Sequence, residues 1–187
     1  MQLVQTVVPT QEPISLSEAK DFLRVLDNDS DALISSLIVA VREHVENVTN
    51  RQLESATFEL YTDDFVSKLP KNPIQTVDKI EYLDESGNYQ TLNSVNYYVY
   101  ENNGISYIKY IELISSTFPS LQDHKKAVKI TFTAGYETVP EAVKQYIKVK
   151  ISTLFENREQ YVIGASISDF GNKFIENLLT PYRVRTV

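Results

Sequence analysis

Apolar residues recur at helical spacing near both ends of the chain and alternate with polar ones between. Leu16, Ala19, Leu23 and Leu26 follow a period near 3.6, as do Leu33, Ile34, Leu37, Ile38, Val41, Val45 and Val48. The first run opens on Ser15-Leu16-Ser17-Glu18, a capping box in which the Ser15 hydroxyl accepts from the Glu18 amide while the Glu18 carboxylate reaches back. Ile14 stands where a hydrophobic staple against Ala19 begins. The pattern predicts a helix of about three turns. Asp27-Asn28-Asp29-Ser30 breaks it and caps a second helix over about 31–49, with Arg42, Glu43 and Glu46 off the apolar face. That face is wide enough for more than one neighbour. Its valines and isoleucines are mediocre helix formers, so tertiary or intersubunit packing is expected to hold the helix.

From Ala56 the period becomes two. Thr57 to Tyr61, Thr76 to Leu83, Tyr89 to Leu92, Tyr97 to Tyr100, Ile105 to Ile111 and Val128 to Thr133 are rich in β-branched and aromatic residues. Turn signals such as Glu85-Ser86-Gly87-Asn88 and Asn102-Asn103-Gly104 separate them. Pro140-Glu141-Ala142 then opens a third helix, followed by Val143, Ile147, Ile151, Leu154 and Phe155. After a break over 165–170, Phe174, Ile175, Leu178 and Leu179 predict a short last helix ended by Pro181, with Tyr182 to Val187 extended. The expected fold is α+β: a helical scaffold of two N-terminal helices, one long and one short C-terminal helix, with an inserted antiparallel β subdomain. Within one domain of residues 1–187, the N-terminal helices take 1–55, the β subdomain 56–135, and the C-terminal helices and tail 136–187.

A chain of 187 residues can bury a real core without staples. No apolar run approaches the ~20 residues of a membrane span, and no secretory signal opens the chain, so a soluble protein made and kept in a cytoplasm is expected. The absence of cysteine removes disulfides, thiolate metal sites and cysteine nucleophiles. Net charge is −7, with 4 basic and 9 acidic residues in 1–55, 7 and 10 in 56–135, and 7 and 6 in 136–187. Tight binding to a nucleic acid backbone needs surplus lysine and arginine, so no grip on DNA is expected.

The candidate chemical sites are incomplete. Asp27-Asn28-Asp29-Ser30-Asp31 begins like a calcium loop but has Ala32 where glycine is wanted and Ile38 where a bidentate glutamate is needed. Gly164-Ala165-Ser166-Ile167-Ser168 resembles a nucleophile elbow without its second glycine, and His44 and His124 both precede Ser166, against the hydrolase order. His44 has Glu43 and Glu46 at separations where helical side chains do not converge, and His124 lies in a polar turn. Asp63-Asp64 and Asp84-Glu85 fall in turns with no opposing acid. Tyr97, Tyr98, Tyr100, Tyr107 and Tyr110 could stack on sugars or bases, although tyrosine is also an ordinary strand residue. No catalytic residue, metal site or cofactor is assigned. Two alternatives remain beside an assembly role: a cytoplasmic ligand-binding module using the tyrosine strands, and a metal-dependent DNA-processing enzyme.

Taken in order, the segments resemble a family. Ile14-Ser15-Leu16-Ser17-Glu18-Ala19-Lys20, Phe22-Leu23-Arg24-Val25, Asp31-Ala32-Leu33-Ile34 and Thr49-Asn50-Arg51-Gln52-Leu53 are similar to the N-terminal signature of tailed-bacteriophage head-tail connector proteins, the head-completion adaptors. Phe118-Pro119, Val128 to Tyr136, Val139-Pro140, Asn157-Arg158-Glu159 and Leu179-Thr180-Pro181-Tyr182-Arg183 resemble the longer members, which carry a β insertion. Phe118 stands where tryptophan is expected and Asn50 where glycine is common.

The resemblance implies a non-enzymatic virion protein at the head-tail junction, assembled in the bacterial host cytoplasm. Its copies, twelve by portal matching, would form a ring under the portal, extend the DNA channel and present a docking surface to a stopper or tail-completion protein. DNA would pass through without specific binding. Ile34, Leu37, Ile38, Val41 and Val45 are the expected ring interface. Leu178, Leu179, Tyr182, Arg183 and Arg185 are the expected portal-docking residues, on a tail that is mobile in the free protein and ordered on the portal.

Overall fold

Six runs of alternating residues become six strands, each within two residues of its predicted ends. The computed structural model of the chain describes residues 1–102, 104–111, 119–157 and 174–184. In chain order it contains β1 (Gln2–Val7), α1 (Leu16–Leu23), α2 (Asp31–Thr49), β2 (Ala56–Thr62), β3 (Ile74–Leu83), β4 (Tyr89–Thr91), β5 (Tyr97–Asn102), β6 (Ile105–Tyr110), β7 (Val128–Ala134) and α3 (Glu141–Glu156). Residues 174–177 form a further helical turn, followed by a 3-10 turn at Thr180–Tyr182. The fold is α+β.

The chain divides into two compact units, one of residues 1–10 and 54–136, the other of residues 11–53 and 137–187. In the first, β1, β2, β7, β3 and β4 form an antiparallel sheet in that order, so β7 lies between β2 and β3. Leu60, Ile80 and Ile130 lie abreast on one face, and Phe58 stacks on Phe132 with ring centroids 5.6 Å apart. Leu69, Leu92 and Ile108 complete this core. On the opposite face Lys129 and Lys79 each approach Glu81 to 2.6 Å. Burial pushes the Glu81 carboxyl up, but the hydrogen bonds from Lys129 and Lys79 outweigh it and hold the group below its ordinary range.

Two local features set this unit's edges. β1 pairs with β2 although the sequence pattern assigned residues 1–13 no element; its alternation is weak because an edge strand is mostly exposed. At the other end of the sheet Gly135 has φ 145° and lies so close to the Glu54–Ser55 backbone that an added Cβ would stand 2.7 Å from it. Only glycine fits there.

In the second unit α2 packs against α1 and α3. The capping box forms: the Glu18 amide donates to Ser15 Oγ at 3.1 Å and the Ser15 amide donates to Glu18 Oε2 at 2.8 Å. Ile14 and Ala19 are both buried, as a staple requires. α1 is nevertheless shorter than the predicted three turns. Arg24 adopts a left-handed φ of 59° and ends the helix after Leu23, so Leu26 leaves the apolar face and is 96% exposed. Lys20 fixes the turn that follows, donating to Asn28 Oδ1 at 2.8 Å and to Asp31 Oδ1 at 2.6 Å.

Candidate functional site

The structure divides the expected ring interface. Ile34, Ile38, Val41 and Val45 are buried within the chain, and Leu37 is half-buried. These four side chains are committed to the chain's own core. Leu33 and Val39, on the flank of the same helix, are the exposed apolar positions. Beside Val39 an apolar cleft of about 420 Å³ is floored by Ile14 and Ile38 and edged by Leu16, Ser15 and Ser35.

Arg42 and Glu46, expected off the apolar face, are buried instead. Arg42 Nε donates to Glu12 at 2.8 Å and Nη1 donates to Glu46 at 3.0 Å. The other oxygen of Glu46 accepts from Gln52 Nε2 at 2.8 Å and from the Leu53 amide at 3.0 Å. Burial lowers the affinity of Arg42 for its proton, but Glu46 and Glu12 raise it by more, so the guanidinium stays charged. The cluster joins residue 12, the body of α2 and the chain leaving α2. Periodicity could not reveal it, because charged residues are read as surface; the i, i+4 spacing of Arg42 and Glu46 was the available signal.

The C-terminal segment is anchored as far as residue 184. Leu179 is 0% exposed. Arg51 Nε donates to the Tyr182 carbonyl at 2.6 Å, and the Val184 amide donates to the Thr49 carbonyl at 2.9 Å. Glu176 lies 2.7 Å from Lys150 and 3.9 Å from Arg183, and accepts from Tyr146 Oη at 3.3 Å. The Lys150 hydrogen bond, against some desolvation, holds the Glu176 carboxyl below its ordinary range. Burial, with Glu176 beside it, pushes the Tyr146 phenol up to about 12. Within residues 174–184, Leu179 is core and the backbone is tied to the end of α2. Leu178 and Tyr182 are half-buried and Arg183 is exposed, while Arg185 lies outside the described residues.

The tyrosines separate into two groups. Tyr97 and Tyr110 face each other across β5 and β6 and pack against the sheet core. Tyr110 Oη donates to the Val66 carbonyl at 3.0 Å, and its ring meets Phe65 edge-on at 5.2 Å. Tyr98, Tyr100 and Tyr107 occupy the other face, with centroids 6.0 Å apart for Tyr98 and Tyr100 and 5.4 Å for Tyr100 and Tyr107. Packing explains the first group only.

The chemical candidates stay apart. The Asp27 to Asp31 turn is engaged by Lys20 and by an Asp29 amide bond to Asp27 Oδ1 at 3.1 Å. Asp84 Oδ1 accepts from the Ser86 and Asn88 amides at 2.9 Å, the work of a turn residue. His44 is exposed, and His124 Nδ1 accepts from the Lys126 amide at 3.1 Å. Among the described residues no group of three or more histidine, aspartate or glutamate side chains could hold a metal ion, and no helix is long and apolar enough to cross a membrane. Asn103, Phe118, Arg158, Glu159 and the Gly164 to Ser168 segment with Ser166 lie outside the described residues.

This fold is shared with chains of known particle structures. The chain aligns over 100% of its length with 98% of a chain in the neck of an empty gene transfer agent particle computed with C6 symmetry, at 21% identity and TM-score 0.78. A chain in the virion of a native gene transfer agent particle gives 22% identity, the same coverage and TM-score 0.78. One in the native neck computed with C12 symmetry gives 21% identity, again 100% and 98% coverage, and TM-score 0.75. Residues 13–103, just under half of the chain, are similar to the family of phage gp6-like head-tail connector proteins. No curated protein matches it.

Proposed function

We propose that this chain is a structural component of a phage or prophage particle, forming a ring between the portal and a stopper or tail-completion protein and extending the DNA channel. The observation that carries this reading is agreement over the whole chain with proteins of particle necks, together with the connector-family match over residues 13–103. Necks computed with sixfold and twelvefold symmetry favour a ring, and twelve copies suit the latter. Net charge of −7 favours passage of DNA without adhesion, since like charges keep the duplex off the wall.

The surfaces follow from what the core leaves free. Tyr182 and Arg183, held out by the Arg51 and Thr49 anchors, are the portal-docking residues within the described segment. Leu33 and Val39 supply the α2 contribution to the ring. The protein acts by assembly in the host cytoplasm, with no catalysis.

The test is genetic. Deleting the gene from its parent phage or prophage should leave DNA-filled heads without tails in electron micrographs, and supplying the chain in trans should restore tailed particles. Normal tailed particles in the deletion strain would overturn the reading.

A further inference from the structure

The outer face of the β5–β6 hairpin joins exposed aromatic surface to positive charge that pairs with no acid among the described residues. Tyr98 lies opposite Lys109 and Tyr100 opposite Tyr107, so the four side chains share one face. Lys68 pairs with Tyr107 from the other side and extends it. Tyr98 is 45% and Tyr100 42% exposed. The segment is held rigidly from beneath: the Ile108 amide donates to the Ser67 carbonyl at 2.7 Å, and the Ser106 amide donates to Asn72 Oδ1 at 2.6 Å. The hairpin places no acid among these side chains, although the chain as a whole carries −7.

The complementary surface is the turn between α1 and α2. Leu26 projects there almost fully exposed, followed by Asp27 and Asp29, which pair with no cation among the described residues. Lys20 clamps the base of the turn through Asn28 and Asp31, leaving Leu26 and the two acids outward. An isolated exposed leucine is ordinary; one followed by two acids complements a tyrosine face bordered by two lysines in apolar character and charge.

We infer that the Leu26 turn of one copy docks on the Tyr98–Tyr100–Tyr107 face of the next, between Lys68 and Lys109. The occupant is a second copy of this chain, which rests on the ring reading above. Turn and face are different patches, so the contact can run head to tail from copy to copy, whereas a two-fold pair would make it twice and stop at the dimer. Burying an apolar anchor among tyrosines supplies the contact, and the Asp–Lys pairs fix its register.

Because the chain has no cysteine, Leu26→Cys with Tyr98→Cys introduces the only two thiols, with Tyr100→Cys as the substitute should Tyr98→Cys alter the circular dichroism. In concentrated double variant, a short bis-maleimide should give a ladder of dimers, trimers and larger species. An equimolar mixture of the two single variants should stop at dimers. Lys68→Glu with Lys109→Glu should weaken the ladder about tenfold, and adding Asp27→Lys with Asp29→Lys should restore it. Absence of species beyond dimers, or a ladder indifferent to charge reversal, would overturn the inference. If the reversed variant still builds tailed particles, the neck role stands and this contact alone falls.

Discussion

Arg42 shows where side-chain chemistry overrode periodicity. A guanidinium that bridges Glu12 and Glu46 can sit inside a helical unit because each partner is charged and the far oxygen of Glu46 is satisfied by Gln52 and Leu53. Arg42→Ala should therefore cost about 3 kcal/mol, the scale of a broken buried pair, read from urea denaturation of the whole chain. Gly135 gives the backbone counterpart. Gly135→Ala forces both an unfavourable φ and a clash with Glu54 and Ser55, and should lower stability by about 2 kcal/mol or more in the same assay. The glycine could be seen in Thr133-Ala134-Gly135-Tyr136, but the requirement for it could not. It comes from residues some eighty positions earlier.

At the scale of elements, the strands were legible because each buries one face and alternation records that directly. The ends of α1 were legible only in part. Its start is written in Ser15 and Glu18, whereas its stop depends on Arg24 accepting a left-handed conformation that glycine or asparagine normally signals. The C-terminal segment was legible only in part for a related reason: composition marked it as an interface but did not show its contacts within the chain. It meets α3 and the end of α2 in its own unit. Leu179→Ala should cost about 3 kcal/mol, and truncation after Asn177 should lower the thermal midpoint instead of leaving the fold intact. A truncated chain that melts like the full one would sink this account.

For the molecule as a whole, acid is the sharpest probe. The carboxyls of Glu18, Glu81 and Glu176 all lie below their ordinary value of 4.5. A depressed folded value means the unfolded chain binds these protons first. The stability they contribute is complete above about pH 4.5 and is lost as pH falls through the folded values. The urea midpoint should drop over that window, and Glu81→Gln with Glu176→Gln should start lower and fall less. A steeper fall in the double variant would contradict the sign. The fold class was legible at this scale from the sequence of patterns alone. The assembly surfaces were not, since exposure of Leu26 or Tyr98 depends on where a helix stops and which face of a hairpin turns inward.

The position of β7 has a consequence in time. Among the described residues it is the last strand to be translated, yet it occupies the centre of the sheet, between β2 and β3, which do not pair with each other. Until it emerges from the ribosome, β1 with β2 and β3 with β4 can only wait as separate pieces, each showing the additional open edge that β7 later fills. Long-range pairing of this kind is slow, and open edges recruit other chains. A polypeptide released before residue 128 would therefore be a seed for aggregation, and the soundness of every copy is decided only once β7 has been made.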